Sequence, residues 1–185
     1  RGAGAGLLKH PKKIFEMVSK LVKNLNIPVS AKIRLGWDEQ NLNYLEISKI
    51  IEEAGASFIS VHGRTKEQGY SGNANWDAIA EIKAMRNIPI SANGDIRTPA
   101  DKLKIKAVTN CDGIMIGRGA LSNPWIFQNK SSGDIPVETR FNLFTEHLTA
   151  ILSFYGAKTG MILFRKHLRS YIDIGKLSRP ERIYL

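Results

Sequence analysis

Apolar and polar positions along residues 11–116 follow a repeating order of helical patterns and short apolar runs. Apolar residues recur at helical spacing from Pro11 to Asn24, where Pro11 occupies a favoured first-turn position. Gly55 stops a second helical pattern. The predicted strands are 29–34, 58–62, 88–92 and 113–116, and the predicted helices between them are 42–54, 76–85 and 99–107.

The spacing of these strands predicts a parallel sheet. Their centres recur every 24–30 residues, which is the size of a strand followed by a crossover helix. Four such units in a row indicate a sheet with helices packed outside it. After Asn123-Pro124 two helical patterns, 138–154 and 161–174, follow with no strand pattern between them. Phe141, Phe144, Phe154 and Tyr155 are predicted to form the core of this helical region.

Glycine-bearing turns close the third and fourth predicted strands. Asn93-Gly94-Asp95 ends one apolar run, and Gly117-Arg118-Gly119 ends the other. Glycine allows close approach of the backbone to a ligand, and the helix after each turn offers unpaired N–H groups to an anion. In a TIM (β/α)8 barrel, a pair of turns like this follows strands seven and eight and binds a phosphate.

Counting strands back from these turns gives the predicted fold, an α/β partial TIM (β/α)8 barrel followed by a small all-α domain. We predict the last four βα units at residues 1–130 and the helical domain at 136–185. The first four strands would then precede Arg1, and the chain does not begin with methionine. We therefore expect a fragment, or a chain that needs the other half from elsewhere. Half a barrel would leave two open strand edges and an exposed apolar interior.

Composition and charge narrow the class of protein. The chain is 43% hydrophobic and 24% charged, as in soluble globular proteins, and it has no apolar run that could span a membrane and no signal peptide. The single Cys111 fits a reducing compartment, so a cytoplasmic location is expected. Of the net charge of +10, residues 1–36 carry +7 and residues 158–185 carry +5. The basic ends favour a polyanionic partner, although lysines that merely solvate helix faces would give the same pattern.

Polar residues cluster where the predicted strands end. The first strand carries Lys32 and Arg34, and the second ends at His62. Ligand-binding residues of parallel α/β folds collect at this edge, and a lysine in an apolar strand is costly unless it meets an anion. A single histidine there is more often structural, but the whole set favours one shared anionic ligand. Flavin mononucleotide (FMN) suits it, with the glycine turns and Arg118 at the phosphate and Lys32 facing the pyrimidine edge of the ring.

Several short motifs together resemble the tRNA-dihydrouridine synthases. The resemblance runs in order through nearly the whole chain. It rests on Gly4-Ala5-Gly6-Leu7-Leu8, Lys32-Ile33-Arg34, Val61-His62-Gly63-Arg64-Thr65, Ala92-Asn93-Gly94-Asp95-Ile96, Met115-Ile116-Gly117-Arg118-Gly119-Ala120, Asn123-Pro124-Trp125-Ile126-Phe127 and Phe164-Arg165-Lys166-His167-Leu168. It implies an FMN-containing barrel and a helical domain that grips tRNA. The implied reaction reduces the C5–C6 double bond of uridine, with hydride from the flavin and electrons from NADPH.

The resemblance also implies roles for individual residues. The implied FMN contacts are Lys32, His62, Asn93, Gly94, Asp95, Gly117 and Arg118. The candidates for contact with tRNA are Arg34, Arg64, Arg165 and Lys166. No metal-ligand spacing is present.

The general acid of this family is absent from the chain. These enzymes protonate C5 with a cysteine in a Cys-Pro motif, which would precede Arg1. Cys111 comes before the last strand, so we expect a structural thiol on the stability face of the barrel, away from the flavin. We therefore predict no catalytic residue in this chain and no turnover by the chain alone.

Alternative interpretations stay open at the level of sequence. One is another FMN-dependent barrel oxidoreductase, similar to dihydroorotate dehydrogenase, and another is a non-catalytic RNA-binding remnant. Trp37, Trp76 and Trp125 are more typical of packing anchors than of base-stacking residues. The loop 69–72 is equally compatible with closure over substrate and with an ordinary turn. The sequence does not indicate the uridine position, the choice of NADPH over NADH (beyond the resemblance) or the oligomeric state.

Overall fold

The computed structural model describes residues 2–171, which form two compact units that divide between Gly117 and Arg118. The first unit begins with a 3-10 helix, Gly4–Lys9. Its helices are α1 (Pro11–Asn24), α2 (Tyr44–Glu53), α3 (Trp76–Met85) and α4 (Pro99–Thr109), and its strands are β1 (Ser30–Arg34), β2 (Phe58–His62), β3 (Ile90–Asn93) and β4 (Gly113–Met115). The second unit contains α5 (Arg118–Ser122), α6 (Val137–Tyr155) and α7 (Ala157–Tyr171), with 3-10 helices at Pro124–Gln128 and Ser132–Asp134.

The four strands form one parallel sheet in the order β1-β2-β3-β4. Every strand and helix predicted for this unit is present, with ends that differ by at most two residues. The predicted α/β class is therefore confirmed for the first unit.

The two faces of the sheet differ in chemistry. Ile59, Val61, Ile90 and Ala92 are completely buried on the face that carries the helices. Residues of the opposite face alternate with them, because neighbouring side chains of a strand point to opposite sides. This second face carries Lys32, Arg34, Ser60, His62, Ser91, Asn93, Gly113 and Met115. The expectation of an exposed apolar interior is therefore wrong, since this second face is mostly polar and its residues Ser60, His62 and Ser91 are buried.

Strand β3 begins two residues later than predicted because the preceding backbone groups have other partners. The N–H groups of Asn87 and Ile88 donate to the Glu52 carboxylate, and Pro89 has no N–H. Regular pairing starts at Ile90, whose N–H donates to Asp112 at 2.8 Å. The carboxylate of Glu52 is thus a cap for the start of β3, which a local sequence pattern does not indicate.

The second unit is helical throughout its described part, residues 118–171. Helix α5 contacts both the 3-10 helix Pro124–Gln128 and α7, and the second compact unit therefore starts at Arg118, before the predicted helical domain at 136–185. Helices α6 and α7 cover the predicted patterns 138–154 and 161–174, and the end of the second pattern lies outside the described residues. No helix in residues 2–171 is long and apolar enough to cross a membrane.

The aromatic core of the helical unit differs from the predicted one. Phe144 packs edge-on against Phe164 and Tyr171, with ring centroids 5.2 and 5.4 Å apart. Phe141, Phe154 and Tyr155 are exposed, so the prediction that they form core is wrong. Helical spacing alone does not tell which of several aromatic stripes faces a neighbouring helix.

Candidate functional site

Several predicted site residues lie next to one another at the carboxyl ends of the four strands. Arg34, His62, Asn93 and Met115 are successive partners across the sheet. Lys32 lies on the same face, two residues before Arg34, and its partner is Ser60. The structure therefore places Lys32, His62 and Asn93 together on one polar face, as the sequence predicts for a shared ligand.

Lys32 is a cation without a counter-ion on this face. It keeps contact with solvent and forms no ion pair within residues 2–171. Partial burial and the nearby Arg34 guanidinium both lower the pKa of its ammonium group. An anionic ligand would relieve both effects, because it would offset the desolvation and neutralise the like charge.

The His62 imidazole lies beside the Arg64 guanidinium. His62 is buried, and its Nε2 lies 3.4 Å from Nη1 of Arg64. An arginine guanidinium only donates hydrogen bonds, so Nε2 must accept. In a neutral ring, this contact is compatible with the tautomer that carries its proton on Nδ1.

Arg64 anchors the loop that connects β2 to α3 (residues 63–75, the β2–α3 loop). Its side chain is only 1% exposed, and it donates to the carbonyl oxygens of Ser71 and Gly72. Its Nη2 also contacts both carboxylate oxygens of Asp95, at 2.8 and 2.6 Å. A guanidinium held in this way favours a positioning role over direct contact with RNA.

Asp95 links the β2–α3 loop to the turn after β3. Its carboxylate accepts from Arg64 and from the backbone N–H of Ala74 at 2.7 Å. Burial raises the pKa of this carboxyl group, but the hydrogen bonds from Arg64 and Ala74 outweigh burial, and the net pKa lies below its ordinary value. Asp95 has a φ of +56°, an uncommon backbone conformation held by these contacts.

The glycines of these loops are required by close packing. A Cβ on Gly94 would lie 2.6 Å from Cβ of Ala74 and 3.3 Å from Cδ2 of His62, and the φ of Gly94 is +127°. A Cβ on Gly63 would lie 2.7 Å from the carbonyl oxygen of Asn75. The glycine turn therefore brings the backbone after β3 directly beside His62.

Arg34 fixes the outer part of the same loop. Its Nη1 donates to the carbonyl oxygens of Thr65 and Gly69, at 2.6 and 3.1 Å. The exposed Tyr70 has its ring centroid 6.0 Å from the Arg34 guanidinium and 6.2 Å from the His62 ring. Loop 69–72 is therefore held at the edge of the polar face, with its aromatic ring toward His62.

The other predicted residues lie as follows. Asn93 donates to the carbonyl oxygen of Met115 at 2.7 Å and so ties the ends of β3 and β4 together. Gly117 is the last residue of the first unit, and Arg118 is the first residue of α5 in the second. Arg165 and Lys166 are exposed on α7. Cys111 is free, 2% exposed, and lies at the amino end of β4, as predicted for a structural thiol.

Two serines of the polar face are absent from the residues predicted from sequence. Ser60 and Ser91 are buried beside the strand-end row, and Ser60 Oγ lies 3.4 Å from Sδ of Met115. The alternation Ile59-Ser60-Val61-His62 contains this signal, since period-two patterns indicate a strand with two different faces.

Comparison with known proteins agrees with this architecture. Residues 1–181 match the family model for dihydrouridine synthase (Dus). The chain is 41% identical over 180 residues to tRNA-dihydrouridine synthase B of Pasteurella multocida, with 92% of this chain and 54% of the relative covered. It is 38% identical over 179 residues to a probable tRNA-dihydrouridine synthase of Rhodobacter capsulatus, with 92% and 55% covered.

A third relative, a probable tRNA-dihydrouridine synthase of Rickettsia bellii, is 40% identical over 167 residues, with 86% of this chain and 50% of the relative covered. The chain thus spans about half the length of the curated relatives it matches. The family model extends from the first described helix to beyond the last one. The chain therefore belongs to the dihydrouridine synthase family.

Proposed function

We propose that this chain supplies the cofactor-holding edge of an enzyme that reduces uridine to 5,6-dihydrouridine in tRNA, with FMN as cofactor and NADPH as electron donor. In this proposal the four βα units are half of a TIM (β/α)8 barrel, and the helical unit helps to hold tRNA. The observation that carries the proposal is the polar face that brings Lys32, His62 and Asn93 together near the carboxyl ends of the strands.

The chemistry of this face fits FMN. The cofactor has an anionic phosphate and a ring edge rich in hydrogen-bond acceptors. Lys32 offers an ammonium group that forms no ion pair among the described residues, and the His62 imidazole lies on the same face of the sheet. A Cβ on Gly117 would meet nothing within 4 Å beyond its chain neighbours, which leaves room for the close backbone approach that phosphate binding uses.

In this proposal each of the site residues has a defined role. Lys32 would hold the ring through its ammonium group and stabilise negative charge there. His62 and Asn93 would orient the cofactor, while Gly94, Gly117 and Arg118 would bind its phosphate. When bound, FMN supplies the hydride for the reduction. The Arg64–Asp95 pair keeps the β2–α3 loop and the Gly94 turn in one arrangement.

The proton for C5 of uridine has to come from another part of the enzyme. Cys111 is buried at the amino end of β4, whereas the cofactor residues lie at the carboxyl ends. We therefore propose that the general acid of the reaction is a cysteine outside this chain, as the family resemblance implies. The chain alone should bind FMN without forming dihydrouridine.

Contact with tRNA is proposed for Arg165 and Lys166, which are exposed on α7. Arg34 and Arg64 would act mainly by positioning the β2–α3 loop, since their guanidinium groups bind its carbonyl oxygens. The relatives' names point to tRNA, which supports this function over a barrel oxidoreductase for small molecules.

Replacing Lys32 with methionine is expected to weaken FMN binding about 10–100-fold, because a hydrogen bond to a charged group contributes about 1.5–3 kcal/mol. Quenching of flavin fluorescence during titration with the 185-residue chain measures this. Lys104→Met on α4 is the matched control, since it removes one exposed lysine away from the strand ends. Equal affinities of the two variants, or no FMN binding by the unmodified chain, would count against the proposal.

A further inference from the structure

Two histidines of the helical unit lie beside each other where α6 and α7 pack together. His147 belongs to α6 and His167 to α7, and their ring centroids are 4.8 Å apart at an interplanar angle of 64°. We call them the imidazole pair. Both residues are half-buried. Because the ordinary pKa of histidine lies near neutrality, the charge of this contact changes between about pH 5 and pH 8.

Aromatic rings hold the imidazole pair in place. Phe164 is 3% exposed, and its ring centroid lies 5.2 Å from that of His147 and 6.3 Å from that of His167. Nδ1 of His147 lies 2.9 Å from the hydroxyl oxygen of Tyr171. A hydroxyl group can both donate and accept, so this hydrogen bond forms whether or not Nδ1 carries a proton. His147 is therefore held beside His167 even when its ring becomes charged.

The nearest charged groups disfavour a proton on His167. Burial, His147 and Lys166 all lower the pKa of the His167 imidazole, and burial has the largest effect. On its own helix, neither histidine has a charged residue three or four positions away, where side chains share a helix face. The two imidazoles therefore meet each other and uncharged side chains, with Lys166 as the neighbouring cation.

Acidic residues that could offset this positive charge are few on the helices that pack here. Helix α7 contains no acidic residue, and neither does α5, which contacts α7 and adds Arg118. The acidic residues of α6 are Glu138 and Glu146, and both are exposed. Glu146 directly precedes His147, but water and salt screen an exposed carboxylate. None of the three helices thus places a buried carboxylate beside the imidazole pair.

We propose that the imidazole pair makes the packing of α6 against α7 sensitive to acid. An uncharged pair packs as two further rings of the aromatic core. Once both rings are protonated, two like charges face each other at this short distance, and their repulsion adds to the cost of burying charge. The two helices are then expected to separate more readily, so the pair is a pH-dependent switch within the helical unit. This inference does not depend on FMN or on RNA.

The sign of the effect follows from proton binding. The pKa of His167 is lower in the folded chain than its ordinary value, so the folded state binds fewer protons than the unfolded state between those two values. Stability from this residue is therefore complete above about pH 6.5 and is lost as the pH falls toward the folded-state pKa.

Hydrogen exchange of the 185-residue chain, followed by mass spectrometry, measures the opening of individual helices. Rates at about pH 7.5 and about pH 5.5 are compared after correction for the intrinsic pH dependence of amide exchange. Peptides from α6 and α7 should lose protection at least about threefold in acid, because the folded state of this unit pays for each added proton. Peptides from α1 and α2 in the first unit should keep their protection.

Histidine variants assign the effect to the imidazole pair. His147→Gln and His167→Gln should each remove most of the acid-induced loss, because the repulsion requires both rings. The double variant should therefore gain little over either single variant. His10→Gln is the matched control, since it removes an exposed histidine at the start of α1, and it should retain the full loss.

His167→Phe covers the case in which glutamine weakens the helix packing at both pH values. It keeps an aromatic ring without a titratable group, so its protection should be the same at the two pH values. The inference is wrong if α6 and α7 of the unmodified chain keep their protection in acid. It is equally wrong if His167→Gln and His167→Phe lose as much protection in acid as His10→Gln does.

Discussion

Replacing Asp95 with alanine is expected to lower the free energy of unfolding by about 3–5 kcal/mol, because it leaves the Arg64 guanidinium buried without its counter-charge. Arg64 is 1% exposed, and Asp95 is the carboxylate that it contacts through two oxygens. The substitution also removes the acceptor for the Ala74 N–H. Urea denaturation, followed by tryptophan fluorescence and circular dichroism, measures the change.

An exposed ion pair is the control for this variant. Lys49 and Glu53 form an i, i+4 pair on α2, with side-chain exposures of 61% and 54%. Glu53→Ala should change stability by no more than about 0.5 kcal/mol, as is usual for exposed pairs on helices. Similar destabilisation of the two variants would show that the buried pair does not hold the loop.

The effect of Asp95 should depend on pH. The folded-state pKa of its carboxyl group lies below the ordinary value, so the pair contributes stability above about pH 4 and loses it as the pH falls through the folded-state pKa. The stability difference between the unmodified chain and Asp95→Ala should therefore shrink in acid. A difference that stays constant down to the lowest pH of native folding would contradict the assigned ion pair.

Gly94→Ala is the second substitution with a large expected effect, a decrease of about 2–6 kcal/mol in the free energy of unfolding from backbone strain and overpacking. The φ of Gly94 is +127°, and the new Cβ would lie 2.6 Å from Cβ of Ala74. Gly117→Ala is the control, because no described residue other than its chain neighbours has an atom within 4 Å of a Cβ placed there. Its stability should change by less than about 0.5 kcal/mol.

The Gly117→Ala variant also tests the proposed FMN site. If Gly117 lies at the FMN phosphate, a methyl group in this open space should weaken FMN binding while the fold stays intact. The flavin titration described for Lys32 measures this. Gly94→Ala with unchanged unfolding would show that the turn tolerates a side chain, and the packing argument for glycine there would fail.

Local patterns predict the sheet well because each strand is a short apolar run bounded by turn residues. The start of β3 escapes prediction, since its caps Glu52 and Asp112 come from positions 36 and 22 residues away from the backbone groups they bind. The polar face of the sheet is visible in the alternation of Ser60 and Ser91 with apolar residues. It is easily overlooked, because apolar runs this short are also typical of strands buried on both faces.

The candidate site is predictable as a set of strand ends, but not as a network. Register places Lys32, His62 and Asn93 on one face, in agreement with the sequence. In the sequence Arg64 resembles an exposed cation that is available to RNA. No local pattern indicates that it forms an ion pair with Asp95, 31 residues later. Trp37 has the sequence context of a packing anchor, and the two lysines over its ring come from distant segments.

We propose that this chain provides the cofactor-holding half of a dihydrouridine-forming enzyme. The most direct test is a chimera in which the chain replaces the aligned 180 residues of the Pasteurella multocida synthase B. We expect the chimera to restore dihydrouridine to tRNA in cells that lack their own synthases. Lys32→Ala in the same chimera should reduce it at least about tenfold. A soluble, FMN-loaded chimera that forms no dihydrouridine would contradict the claim.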